Sequence, residues 1–260
     1  MQGIATAPIR MSRAERAEPN RAALSLGAFG ATSPGMPPEC ALHLQAWLSP
    51  AFPTGSFAYS HGIEAATAEG RITDAEALQS WLQDLVEVGG LRCDAVLLAA
   101  AHRAASCGDR DGVREAGELA LALPPSCERY LETASQGAAF LAAIRAGWPS
   151  LAGRVADLNG SDIAYPVAVG VTLALDGCAL EAALAAYLNA TASGLISAAM
   201  RSMRLGQSAG LILLAALQPA ILAAAESAAA STLDDLASAT VLSDIQSMRH
   251  ERLYSRIFRS

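Results

Sequence analysis

The residues best placed to act as a nucleophile lie in Ala58-Tyr59-Ser60-His61-Gly62, a loose form of the small-x-Ser-x-Gly elbow that holds a hydrolase serine on a strained turn. Such an elbow needs a preceding strand and downstream acid and histidine partners. Here a Pro/Gly loop precedes it, and only His102 and His250 follow. A serine hydrolase using Ser60 is therefore the alternative reading; the plainer one has Gly62 admitting close helix packing beside an ordinary serine. Among possible metal ligands, Cys40 and His43 are three apart and would share a helix face, His102 and Cys107 are close in sequence, and His61 and His250 are isolated. None completes three or four ligands at metal-site spacing, so no dedicated metal site is expected, and a metal-storage protein is a second alternative. Gly206-Gln207-Ser208-Ala209-Gly210 contains the glycines of a phosphate loop, but the chain has no lysine, all 18 basic residues being arginine. That excludes a P-loop and a Schiff-base lysine. No catalytic residue and no cofactor is expected, and the chain is read as a binding protein rather than an enzyme.

The C-terminal segment offers a different chemistry. Arg249, Arg252, Arg256 and Arg259 recur at +3, +7 and +10, with Leu253, Tyr254, Ile257 and Phe258 between them. A solvated tail seldom holds four bulky apolar residues so closely, and Arg, Tyr and Phe are the types that anchor protein interfaces. Two plainer readings, a solvated tail and a tail docked on its own acidic body, compete with partner binding, which is favoured.

These segments must be positioned by helices. The composition is 52% hydrophobic and 5% aromatic, dominated by alanine and leucine, with too little Val, Ile and Thr for a large sheet. Residues 1–38 mix Arg, Glu, Pro and Gly and are expected to be a disordered arm. A short helix over 40–48 leads into the loop Ser49-Pro50-Ala51-Phe52-Pro53-Thr54-Gly55, after which Ser56 is expected to cap a helix towards Ala68. Thr73 and Glu76 suggest a capping box for a helix whose Leu78, Trp81, Leu82, Leu85 and Val88 form a buried stripe. Further helices fit 93–106, 111–121, 126–146, 163–175, 180–204 with a break near Gly194, 207–217, and a short one after Thr232. The expected fold is an all-α, single-domain bundle of about nine to eleven helices over 39–248, with a docking tail at 249–260.

Charge is unevenly spread. Of the net −7, residues 1–38 contribute four Arg against two Glu, and residues 249–260 four Arg against one Glu, so the body between holds −12. Such a body is a poor nucleic-acid binder and suits complementary protein surfaces. Five scattered cysteines and no compact apolar leader point to reduced thiols in a cytoplasmic protein. The apolar stretch Ala209 to Ala225 contains Gln218 and Pro219, falls short of the ~20 residues of a span, and is read as a core helix rather than a membrane segment.

Three blocks, in order, resemble the UreF family of urease accessory proteins. Leu48-Ser49-Pro50-Ala51-Phe52-Pro53-Thr54-Gly55-Ser56-Phe57-Ala58-Tyr59-Ser60-His61-Gly62-Ile63-Glu64 is similar to its N-terminal signature. Tyr165-Pro166-Val167-Ala168-Val169-Gly170, then Ala186-Tyr187-Leu188 and Arg201-Ser202-Met203-Arg204-Leu205-Gly206-Gln207, are similar to its central region. His250-Glu251-Arg252-Leu253-Tyr254-Ser255-Arg256-Ile257-Phe258-Arg259-Ser260 is close to its ending. Arg204 stands where the family usually has proline, Ile257 replaces the common leucine, and residues 1–38 have no counterpart. The resemblance implies an all-helical, dimeric protein that binds UreD (UreH in some organisms), recruits the GTPase UreG with it, and acts on apo-urease during nickel insertion. It further implies partner-facing or shape-fixing roles for Pro53, Gly55, Ser56, Tyr59, Gly62 and Glu64. For Arg249, His250, Glu251, Tyr254, Ser255, Arg256, Phe258, Arg259 and Ser260 it implies a UreD-docking tail that orders on binding.

Overall fold

A computed structural model describes residues 37–158 and 162–260; residues 1–36 of the expected N-terminal arm lie outside the described residues, while Pro37 and Pro38, assigned to the arm, instead open the first helix. Eleven α-helices follow one another: α1 Pro38–Trp47, α2 Ile63–Ala68, α3 Ala75–Val88, α4 Gly90–Cys107, α5 Arg110–Ala122, α6 Cys127–Gly147, α7 Pro149–Ala152, α8 Tyr165–Asp176, α9 Leu180–Ser202, α10 Gln207–Ala230 and α11 Val241–His250. Three single 3-10 turns complete the secondary structure, and no strand occurs among the described residues.

Helix α8 is the centre. Pro166 through Leu173 are all buried, as expected of a helix that is apolar all round. It lies hard against α4, because Gly170 has no side chain: a Cβ there would stand 2.5 Å from the Leu98 carbonyl oxygen. Helices α3, α6, α9 and α10 wrap these two, and one contiguous core runs through all of them. Its aromatic part joins Trp47 of α1, Phe52, Phe140 of α6, Trp148, Tyr165 and Tyr187.

Several local expectations change. The expected helix from Ser56 is a 3-10 turn over Ser56–Ala58, and α2 starts only at Ile63, because Gly55, His61 and Gly62 all have positive φ and break the chain direction. The cap of α3 is Asp74, whose carboxylate accepts the Ala77 N–H at 2.9 Å, while Thr73 donates to Asp74 rather than capping. Leu78, Leu82 and Leu85 are buried as expected, but Val88 at the helix end is exposed. Helix α9 passes Gly194 unbroken. Helix α10 runs through Pro219 to Ala230, since Pro219 sits on the solvent side, where the carbonyl it orphans can turn to water. The segment after Thr232 is a 3-10 turn closed by a capping box with Asp235, and the ordered helix is α11. Finally, Cys40 and Cys178 form a disulfide, so reduced thiols are limited to Cys93, Cys107 and Cys127.

By length and composition α9 and α10 could each cross a membrane, with 50% and 33% of their most apolar windows buried in the fold. At 24 residues α10 is longer than the sequence suggested. Its inner row, including Leu213, Leu217 and Ile221, belongs to the core as expected; its outer face shows Leu211, Ile212 and Leu222 to solvent.

Candidate protein-docking site

The first and last signature blocks, about 190 residues apart, meet. After α11 the chain turns at Glu251 and Arg252 and runs back through two bends, at 254–255 and 257–258, beside the 55–64 segment. Arg259 N–H donates to the Ala58 carbonyl (2.7 Å), and Ser60 N–H to the Ser260 carbonyl (2.7 Å). The Ser60 hydroxyl donates to the same carbonyl. Gly62 permits this approach, since a Cβ there would lie 2.6 Å from the Ser247 nitrogen of α11.

Glu64, in the first turn of α2, is the main clamp. Its two oxygens accept the consecutive amides of Ile257 (2.7 Å) and Phe258 (3.0 Å), and the second also lies 3.0 Å from His250 Nε2. Burial pushes the Glu64 carboxyl up, but these hydrogen bonds and the His250 ring outweigh burial and hold it below its ordinary range. Glu128 stands on the other side of His250, 2.6 Å from Nδ1, and pairs with Arg256. Glu251 accepts the Cys127 N–H at 2.9 Å and so caps α6. Arg249 and Gln246 both reach Glu69. Phe258 is buried under the Arg201 guanidinium, whose carbon is 4.4 Å from the ring centre.

Beneath the tail lies a buried charged cluster. Glu132 of α6 accepts from Arg129 (2.5 Å), Gln136 (3.0 Å) and the Ser260 hydroxyl (2.7 Å), and sits 2.7 Å from His61 Nε2. Burial alone would raise its carboxyl; the Arg129 charge, His61 and the hydrogen bonds outweigh it and hold it at about 2. Asp94 of α4 goes the other way: burial raises it against the pull of Arg129. Tyr187 donates to Asp94 at 3.3 Å, and burial together with Asp94 pushes its hydroxyl well up. A cavity of about 220 Å³ opens beside this cluster, lined also by Thr133, Tyr165 and Arg201.

The expected site residues therefore separate into two kinds. Pro53, Ser56, Arg249, Glu251, Tyr254, Ser255, Arg256 and Arg259 are exposed, and Gly55 is half-buried. Tyr59, Gly62, Glu64, His250, Phe258 and Ser260 are buried and hold the two segments together. The tail, expected to order on a partner, is here ordered on its own body. Sequence reasoning missed Asp94, Glu128, Arg129 and Glu132; the spacing of the last three on α6 hinted at an ion pair but not at its burial. Ser60 is fully buried with its hydroxyl directed at main chain; of the two downstream histidines, His102 is engaged with the Cys178 carbonyl (2.9 Å) and His250 lies between Glu64 and Glu128.

Fold and site together define an all-α protein that clasps its own cationic end in an acidic groove. A sequence model of the UreF family matches residues 72–218. Proteins named "Urease accessory protein UreF" are similar along most of their length. That of Methylobacterium radiotolerans is 49% identical over 222 residues, 85% of this chain and 96% of its own. That of Rhodopseudomonas palustris (strain BisB5) is 48% identical over 219 residues, 84% of this chain and 90% of its own. That of Azorhizobium caulinodans is 48% identical over 228 residues, 87% of this chain and 97% of its own. The chain belongs to the UreF family of urease accessory proteins.

Proposed function

We propose that this protein is a cytoplasmic, non-catalytic scaffold for nickel insertion into apo-urease, bridging a UreD/UreH-like protein and a UreG-like GTPase. The observation that carries the reading is the two-sided tail: its buried side is hydrogen-bonded to Glu64 and Glu132, while Tyr254, Ile257, Arg256 and Arg259 stand exposed on the other. A pre-ordered edge of aromatic and Arg side chains loses little entropy on docking. Pro53 and Ser56 extend that edge, and Tyr59, Gly62, Glu64, His250, Phe258 and Ser260 set its shape. The bare face of α10 supports a homodimer within the complex, since an exposed apolar patch on a helix this long gains by being covered.

Co-purification with the UreD-like and UreG-like proteins, followed by mass measurement, tests the assembly. Tyr254→Ala with Ile257→Asp is expected to abolish capture of the UreD-like partner while leaving helicity unchanged by circular dichroism; retained capture removes the tail from the interface. Turnover of the GTPase with and without the protein separates an arginine that reaches its active site from positioning alone, since only the former accelerates hydrolysis.

A further inference from the structure

Away from the tail, four metal-ligating side chains converge where α1 meets the turn between α8 and α9. Cys40 and His43 occupy one face of α1; Asp176 and Cys178 flank Gly177 at the end of α8. Asp176 Oδ2 lies 2.7 Å from His43 Nδ1 and 3.5 Å from Cys178 Sγ, and Cys178 is bonded to Cys40. Two sulfurs, a nitrogen and an oxygen thus form one contiguous set. Ligands on one tetrahedral zinc-like ion, at roughly 2.0–2.3 Å from the metal, stand roughly 3.3–3.8 Å from one another. The sulfur–oxygen separation already falls there. The imidazole–carboxylate pair must open by at least about 0.6 Å on that geometry, and the sulfurs must part.

The disulfide ties up both sulfurs, and the His43–Asp176 hydrogen bond holds the other two ligands close together. With the disulfide in place, no group of three or more His, Cys, Asp or Glu among the described residues is arranged to hold a metal ion. The Cα atoms of Cys40 and Cys178 are 5.5 Å apart, so side-chain rotation can separate the sulfurs while the backbone stays. Both cysteines are buried, which excludes competing water, whereas the His43 side chain is 24% exposed and gives an ion a way in.

We propose that reduction of the Cys40–Cys178 bond converts this corner into a binding site for one divalent ion of the zinc–nickel class, held by both thiolates, His43 and Asp176. A dithiol reductant delivers two electrons and two protons, becomes a disulfide itself and leaves two protein thiols. The ion then displaces one proton from each thiol, so that two thiolates, one carboxylate and a neutral imidazole face the 2+ charge. Two soft sulfurs with an imidazole suit zinc or nickel rather than magnesium or calcium. The inference is independent of the proposed role in urease maturation.

Cobalt(II) and zinc(II) titrations of the full chain, after anaerobic phosphine reduction and desalting, test it. Reduced protein is expected to take up one cobalt per chain with thiolate-to-cobalt charge-transfer and tetrahedral d–d bands, both displaced by zinc. His43 stacks on Trp47 at 4.6 Å, so cobalt and nickel should also quench tryptophan emission. Oxidised protein should show none of this. His43→Ala should weaken uptake at least tenfold and Cys178→Ser abolish the charge-transfer band, while Cys93→Ser and Cys127→Ser leave it unchanged. The proposal is overturned if reduced protein of native helicity gives no charge-transfer band, or if the band survives in the Cys40→Ser, Cys178→Ser double variant.

Discussion

The C-terminal segment and the outer face of α10 both look like interaction surfaces in composition, yet the fold treats them oppositely. The tail is polar and cationic, and its inward side is fully engaged: amides on Glu64, an imidazole between two carboxylates, a hydroxyl on Glu132. The outer α10 face is apolar and uncovered by the described residues, with Leu211 and Ile212 each 69% exposed. A directional surface can be satisfied inside one chain and still present a shaped edge. A non-directional one can only be satisfied by area, and the described residues supply none there.

The largest expected effect removes the charge that makes the tail's floor tolerable. Arg129→Ala leaves Glu132 and Asp94 buried beside each other without their cation. A loss of about 3–5 kcal/mol in urea unfolding is expected, the range for breaking a buried pair from one side. A loss under about 1 kcal/mol would mean that the cluster is wet and that the tail rests on a surface, as α10 does.

Acid should release the same floor more gradually. The Glu132 carboxyl is held at about 2 in the folded chain against an ordinary 4.5, so its contribution is present in full above about 4.5 and is lost as the pH falls towards about 2. Glu64 is shifted in the same direction and adds to the loss. The Glu132 difference alone corresponds to about 3 kcal/mol. Amide protection at Ile257 and Phe258, taken relative to the intrinsic exchange rate at each pH, should fall through this window before the core helices α4 and α8 open; simultaneous opening would show that the tail is no separate unit.

The α10 face sharpens the comparison from the other side. Leu211→Glu with Leu222→Glu should leave monomer unfolding within about 0.5 kcal/mol, as for surface substitutions generally. Self-association followed by sedimentation should weaken at least tenfold, since each leucine covered by a second copy contributes about 1.5–3 kcal/mol. Unchanged self-association would place the homodimer contact elsewhere.

What the sequence revealed follows the same division. Periodicity located α3, α4, α6, α8 and α9 to within a few residues, because a buried stripe writes itself into the spacing. The two signature segments were visible as unusual residue combinations. Their contact was not, since nothing local in Ser60 or Ser260 states that the Ser60 amide and hydroxyl will share the Ser260 carbonyl while the Ser260 hydroxyl reaches the Glu132 carboxylate. The ion pairs on α5 and α6 show the limit most clearly. Arg114 with Asp111 and Arg129 with Glu132 have the same three-residue spacing. The first pair's side chains are 63% and 89% exposed, the second's 15% and 3%. Spacing predicts that they pair; only the packing of α6 beneath the tail decides that one pair is structural. The Cys40–Cys178 bond, across 138 residues, is beyond local reasoning for the same cause. Helix ends were misjudged where a single residue's side of the helix mattered, as at Pro219.

The smallest effect expected is also the most discriminating. Arg256 pairs with Glu128, but its side chain is 40% exposed, and Glu128 keeps its His250 contact without it. Arg256→Ala should therefore cost below about 1 kcal/mol in unfolding, the usual range for solvent-exposed pairs, and the difference should shrink further at high salt. Capture of a partner is the contrasting measurement. If the exposed arginines steer docking, the same substitution slows association at low salt and has little effect at high salt. A loss of several kcal/mol in stability instead would mean that charge, rather than the Glu64 amide clamp, holds the tail to the body, and Arg256 would then belong to the floor and not to the edge.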